Sequence, residues 1–116
     1  MTRDDDYLRE LLLEFEADED WVQVSELLLG PGDDETKRHY HVLLLCDAGM
    51  MTGVDEGLFR LTSAGHDFLE LTRQSEAWEA TKGASRKLGG ASIQMLYRVA
   101  EGYARSKLSE LGIPLA

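Results

Sequence analysis

A helical segment that leads directly into a hairpin is the feature that most constrains the fold of this chain. Residues 33–48 have helical character with a pair of aspartates suited to cap the start, and Gly49 is suited to end the helix in a left-handed conformation. Two β-prone segments follow, 50–54 and 58–61, joined by the turn residues 55–57. A helix followed by a two-stranded hairpin is typical of a winged helix-turn-helix.

An amphipathic helix precedes this pair of elements. Residues 4–17 repeat apolar side chains at helical spacing and begin with aspartates, which favour a helix N-terminus. Residues 21–24 begin a short element with two open interpretations. It is either a strand followed by a helix that starts at Ser25, or a single extended stretch to Leu29. The Gly-Pro-Gly sequence at 30–32 predicts a turn in both cases.

Two further helices follow the hairpin. The pattern predicts one helix from residue 62 or 63 to about 82, weakened by Gly83 and ended before Gly89-Gly90. Ser92 is suited to cap a final helix, whose wide apolar face continues to Leu111. That face must pack on the rest of the chain or on a second copy, so a homodimer through the C-terminal helix is one expectation.

Together these elements predict a mainly helical α+β fold. We expect a winged helix-turn-helix with a short two-stranded wing and added C-terminal helices. A chain of 116 residues is long enough for one hydrophobic core. We therefore predict a single domain over residues 1–116, with a winged-helix core at 1–72 and a helical extension at 73–116.

Negative charge is concentrated at the start of the chain. Residues 1–35 carry 13 acidic and 2 basic side chains, whereas residues 36–116 carry 9 acidic and 10 basic ones, for a total of −10. Nucleic-acid affinity comes largely from neutralised phosphates, so this balance argues against unaided binding to DNA.

The apolar runs are too short for a membrane span. The longest, Val42 to Cys46, has five residues. Residues 1–6 are acidic where a signal peptide would be basic and then apolar. Cys46 is the single cysteine, so no disulfide can form within the chain. We expect a cytoplasmic protein without a membrane association.

Three stretches carry a family resemblance: HYHVLLLCDAGMM at 39–51, RLTSAGHDFLELTRQSEAWEATK at 60–82 and GGASIQMLYRVA at 89–100. The chain resembles a family of small phage and prophage proteins that is catalogued as domain of unknown function 2513. The short hairpin and Leu43, where a polar residue is usual, depart from the pattern. The resemblance implies a winged-helix-like fold and an origin in a mobile element, and it implies no established activity.

No combination of residues predicts catalysis, a cofactor or a metal. His39 and His41 stand about 200° apart around a helix axis, so both rings cannot face one zinc ion. The apolar neighbours of Cys46 favour a buried, unreactive thiol. The sequence alone assigns no partner to His66. It also contains no phosphate-binding loop and no nucleophile motif. We expect a protein that is not an enzyme.

One functional hypothesis is a small DNA-binding transcriptional regulator. Base contacts in a winged helix arise from the first turns of the helix that precedes the wing. The polar residues there are Thr36, Lys37, Arg38, His39 and His41. Asp55 and Glu56 at the hairpin turn would repel a phosphate backbone.

The alternative is an acidic module that binds a protein. A carboxylate-rich helix can compete for a phosphate-binding groove, so a host nucleic-acid-binding defence complex is a candidate target. The predicted contacts are Asp4, Asp5 and Asp6 on the first helix, with Leu43 on a helix that is apolar on every side over 42–46.

Overall fold

The computed structural model describes residues 1–27 and 32–114, and within them the chain forms five helices and three strands. In chain order they are α1 (Asp5–Ala17), β1 (Gln23–Val24), α2 (Asp33–Asp47), β2 (Met51–Asp55), β3 (Leu58–Leu61), α3 (Ser63–Thr72), α4 (Ser75–Lys87) and α5 (Ile93–Glu110). The strands form one antiparallel sheet in the order β1-β3-β2. The predicted α+β class with mainly helical content is confirmed. The described helices are all too short or too polar to cross a membrane.

The chain divides into two compact units, Met1–Leu69 and the segment from Glu70 onward. We call them the N-terminal unit and the C-terminal unit. The division falls inside α3, whereas the sequence suggested a subdivision after residue 72.

The apolar faces of α1 and α2 form a large part of the core of the N-terminal unit. Asp4 begins α1 as predicted, because its side chain accepts a hydrogen bond from the Tyr7 N–H at 3.1 Å. Buried residues then recur along α1 at helical spacing, and α2 contributes two more. These are Leu8, Leu11, Leu12, Phe15, Val42 and Leu45.

The helix α2 spans the predicted range, but its cap differs. Gly32 is the N-cap, and its N–H donates to Glu35 Oε2 at 3.0 Å, so the first turn is closed by Glu35 rather than by an aspartate cap. Asp33 lies inside the helix, where its charge still favours the N-terminus. Gly49 adopts φ +80°, as expected for the residue that ends this helix.

The predicted two-stranded hairpin is present as β2 and β3, and β1 adds a third strand that the sequence left open. Gln23 pairs with Phe59 and Val24 pairs with Leu58 along β3. Of the two interpretations left open for this region, a strand is present, and residues 25–27 are not helical. Most of the predicted turn at 30–32 lies outside the described residues.

A close contact attaches the start of α3 to the start of β2. The Thr62 hydroxyl donates to Gly49 O at 2.6 Å and accepts from the Gly65 N–H at 3.2 Å, so it caps α3 while binding the end of α2. A Cβ on Gly65 would lie 2.3 Å from Met50 O. Only glycine allows this approach, which gives the Leu-Thr-x-x-Gly pattern a structural explanation.

The C-terminal unit contains the helices α4 and α5 packed on each other. The predicted single helix from 62 to 82 is wrong: the chain breaks at Arg73–Gln74, where Gln74 is extended (φ −79°, ψ 140°) and precedes α4. No glycine or proline marks the break, so local sequence signals do not reveal it. Gly83 lies inside α4, which continues to Lys87.

Ser92 caps α5 as predicted, accepting from the Met95 N–H at 3.1 Å. The apolar face of this helix is buried only in its first half, at Ile93, Leu96 and Ala100. Leu108 and Leu111 near its end are exposed.

Candidate interaction surface

The two cations predicted to contact DNA are both engaged within the N-terminal unit. Lys37 Nζ lies 3.4 Å from Asp4 Oδ2 and 4.4 Å from the centre of the Tyr7 ring. The Tyr7 N–H bond lowers the pKa of the Asp4 carboxyl, and Lys37 lowers it further against the opposing effect of partial burial.

Arg38 is held more completely than Lys37. Its guanidinium donates to Glu14 Oε2 at 2.7 Å, to Gln23 Oε1 at 2.8 Å and to Val24 O at 2.9 Å. It therefore joins α1 and β1 to α2. Three of its five N–H donors are therefore already used, and a phosphate or a base edge would compete with these bonds.

The histidines of α2 have structural partners. His39 Nδ1 lies 2.9 Å from Ser25 Oγ. His41 is 0% exposed; its Nδ1 donates to Lys37 O at 2.8 Å, and its Nε2 accepts the Asp4 N–H at 2.9 Å. The ring thus satisfies two backbone groups. His41 cannot contact a base edge in this fold, because no atom of it reaches the surface.

Thr36 is the remaining member of the predicted DNA-contacting set. Its hydroxyl donates to Gly32 O at 3.0 Å, a local bond within the first turn of α2. The structure thus brings the five predicted residues onto one helix, and it directs Lys37, Arg38, His39 and His41 toward neighbouring elements of the same unit.

The predicted protein-binding residues have mixed positions. Asp4 caps α1, and Asp5 pairs with Arg3 at 2.7 Å. Asp6 is exposed. Leu43 is 43% exposed, so the outer side of α2 is open to solvent at this position.

Sequence reasoning missed a cleft of about 310 Å³ in the N-terminal unit. It lies between the end of α1, the segment before β1 and the start of α3. Its polar and aromatic lining includes Glu16, Asp18, Glu19, Trp21, Arg60 and His66. These residues are far apart in sequence, so no spacing pattern joins them. A tryptophan directly after the acidic run at 18–20 was the one available signal.

The described residues offer no group of three or more His, Cys, Asp or Glu side chains arranged to hold a metal ion. Burial raises the pKa of the half-buried Cys46 thiol, and the neighbouring Asp47 raises it further. Both effects disfavour the reactive thiolate.

Surface charge differs sharply between the units. The N-terminal unit contains 17 acidic and 5 basic side chains, a net charge of −12. Fourteen of those carboxylates are exposed, so the charge faces solvent. The C-terminal unit contains 5 acidic and 7 basic side chains, a net charge of +2.

The fold and these surfaces define a small α+β protein with a strongly acidic N-terminal unit. A family model described as a hypothetical protein, DUF2513, matches residues 2–92, and the chain belongs to this family. The match ends before α5, whereas the resemblance noted from the sequence extends to residue 100. No match was found among curated proteins or among solved structures.

Proposed function

We propose that the N-terminal unit binds a basic surface on a partner protein. The observation that carries this proposal is that cations of the unit form ion pairs within the unit itself. Lys37 and Arg38 are paired with carboxylates of α1 and its cap, while 13 other carboxylates of the unit are exposed. The exposed field of the unit is therefore negative, and it favours cationic partners.

A charged surface of this kind mainly affects how fast a partner associates and which partner binds. A concentrated negative surface attracts a basic partner over about one Debye length, roughly 8–10 Å at physiological salt. It repels nucleic acid over the same range. A binder of this type is expected to show strong salt dependence and to reject acidic partners.

The partner class follows from the same chemistry. Proteins that bind nucleic acid present basic grooves for phosphate, and a carboxylate-rich surface can occupy such a groove. Our proposal therefore includes a host nucleic-acid-binding protein as the target, in keeping with the mobile-element origin that the family resemblance implies.

Direct DNA binding is the second candidate, and one observation favours it. The helix α2 precedes the hairpin β2–β3, and β1 pairs with β3 to give the strand order expected of a winged helix. Such a regulator would read DNA through α2. The engagement of Lys37 and Arg38 weakens this candidate, because their charges are already neutralised.

A homodimer through the C-terminal helix is a further part of the proposal. Leu108 and Leu111 are exposed at the end of α5, and an apolar surface of this kind favours association. Sedimentation of the full chain and of a Leu108→Ser, Leu111→Ser variant tests it. A concentration-dependent dimer that the variant lacks is expected, and a strictly monomeric wild-type chain would contradict it.

Binding to two probes separates the protein-binding and DNA-binding functions. The full chain is titrated with a hexa-arginine peptide and with a random-sequence DNA duplex at low salt, and both titrations are repeated at higher salt. We expect the peptide to bind with an affinity that falls as salt rises, and the duplex not to bind.

Matched variants identify which side chains would be responsible for any DNA binding. Lys37→Gln with Arg38→Gln removes the α2 cations, and Arg86→Gln with Lys87→Gln removes two exposed cations of the C-terminal unit as a control. DNA binding that the first pair abolishes and the second pair preserves would overturn our proposal in favour of the regulator. Circular dichroism establishes that each variant is folded.

A further inference from the structure

We propose that the cleft at the end of α1 holds an arginine side chain of the basic partner. This inference rests on the proposed function and locates its contact site. The cleft lies within the N-terminal unit, between the last turn of α1 and the start of α3, and it has a volume of about 310 Å³. That volume is at the lower end of the range of ligand pockets, roughly 300–1,000 Å³, which suits a single long side chain.

Charge in the cleft favours a cation. Three carboxylates, those of Glu16, Asp18 and Glu19, line the cleft together with one guanidinium, that of Arg60, so the formal charge of the lining is −2 with histidine counted as neutral. The Arg60 guanidinium is turned to the backbone, where its Nη1 donates to Leu61 O at 2.9 Å. It is therefore held by the protein, and the carboxylates of Asp18 and Glu19 alone outnumber it, so the cleft favours an incoming cation.

The end of α1 adds a second source of negative potential. The last four carbonyl groups of a helix lack intrahelical partners and carry a partial negative charge. The final turn of α1 contains no basic residue to offset this charge. Asp18, the C-cap, accepts the Asp20 N–H at 2.9 Å, which fixes the bend that places the acidic side chains beside the helix end.

An exposed aromatic ring distinguishes this cleft from a merely acidic surface. Trp21 lines it and is 68% exposed, so its large indole ring forgoes the hydrophobic free energy that burial would provide. An indole plane next to carboxylates fits a guanidinium, which stacks on the ring and donates paired hydrogen bonds to the acids. Lysine offers a point charge and lacks the planar stacking face, so we assign the site to arginine.

Tryptophan fluorescence reports on this site directly. The chain has two tryptophans, and Trp78 is only 4% exposed, so a ligand at the cleft changes the emission of Trp21. We expect a hexa-arginine peptide to perturb the emission of the full chain. The same peptide should leave the emission of a Trp21→Phe variant unchanged, and a response that persists in this variant would contradict the assignment.

Charge variants test the acidic lining. Glu16→Gln, Asp18→Asn and Glu19→Gln together remove the three cleft charges, and the asparagine keeps the oxygen that accepts the Asp20 N–H. Glu10→Gln, Asp34→Asn and Glu56→Gln remove three exposed charges outside the cleft as a matched control. Each exposed ion pair with the peptide contributes a few-fold in affinity, so we expect about a tenfold loss of peptide affinity for the cleft variant. The control should lose less than about threefold.

The outcomes separate this inference from the proposed function. Equal losses in the two triple variants would overturn the cleft assignment and leave the general binding of basic partners in place. Failure of the wild-type chain to bind the peptide would overturn both. A hexa-lysine peptide is expected to bind several-fold more weakly, and equal affinity for the two peptides would overturn the assignment to arginine.

Discussion

The two units of this protein use their charged residues in opposite ways. In the N-terminal unit, Lys37 and Arg38 hold α2 to α1 and β1, and the surplus carboxylates face solvent. In the C-terminal unit the carboxylates are the paired groups: Glu70, Glu76, Glu79 and Glu110 all form ion pairs. Its cations Arg86, Lys87, Arg98 and Arg105 form no ion pair within the part of the chain that the structure describes. The fold therefore determines which sign of charge each surface presents.

The units also differ in how closely backbone segments approach one another inside each unit. The N-terminal unit depends on specific polar and steric contacts at Thr62, Gly65 and His41. The C-terminal unit is a helix pair in which Gly102 has open space around it. Single substitutions at these contacts should therefore have large effects, whereas substitutions on the exposed side of α5 should have small ones.

The largest effect is expected at Gly65. Alanine there would place a Cβ 2.3 Å from Met50 O, a backbone atom that cannot move aside cheaply. We expect Gly65→Ala to lower the free energy of unfolding by about 3 kcal/mol. Gly102→Ala, on exposed α5, should raise it by about 0.5–1 kcal/mol. Urea denaturation measures both, and similar effects in the two variants would remove the contrast between the units.

Replacement of His41 should have a comparable effect. His41→Leu removes a fully buried ring together with its hydrogen bonds to the Asp4 N–H and Lys37 O, so we expect a loss of about 3 kcal/mol. Lys107→Gln in the C-terminal unit breaks surface pairs with Glu76 and Glu110, and it should leave the denaturation midpoint nearly unchanged. A stable His41→Leu protein would show that this buried histidine is dispensable for the fold.

Thr62 should have an intermediate effect. Thr62→Val keeps the shape of the side chain but removes the hydroxyl that caps α3 and binds Gly49 O. We expect a loss of about 1–2 kcal/mol in thermal or urea unfolding. Thr62→Ser restores the hydroxyl and should recover most of that loss; if serine fails to do so, the methyl group rather than the hydroxyl is important.

The smallest effect concerns pH. The folded protein lowers the pKa of Asp4 below its ordinary value of 3.8, so the stability that this carboxylate contributes is present above that pH and is lost as pH falls through the folded value. Asp4→Asn keeps a cap acceptor and should cost less than about 1 kcal/mol at pH 7, because the side chain is 46% exposed. The difference in the free energy of unfolding between the wild-type and Asp4→Asn proteins should become smaller toward pH 2. If the difference in the free energy of unfolding between the two proteins stays constant across the acid range, the lowered pKa of Asp4 is contradicted.

Local patterns predicted the helices and the hairpin of the N-terminal unit. Apolar spacing located α1, and Gly49 located the end of α2, because both signals depend on neighbouring residues in the chain. The pairing of β1 with β3 and the break at Gln74 depend on contacts or backbone geometry that no short pattern encodes. Those features were missed.

Candidate site residues were predicted less well for the same reason. Position on a helix indicated Lys37, Arg38 and His41 as surface residues, whereas α1 and β1 cover or engage them in the folded chain. The cleft joins Glu19 and Trp21 with Arg60 and His66, which are about forty residues away in sequence. Such a site exists only after the fold has formed.

The end of the family match divides a packed pair of helices. Residues 2–92 include α4, whose buried positions Ala77, Trp78, Thr81 and Ser85 belong to a unit that α5 completes. The helix α5 begins one residue later. The matched part of the chain thus ends at a helix whose buried face is covered by α5, and α5, with the exposed Leu108 and Leu111, lies outside the match.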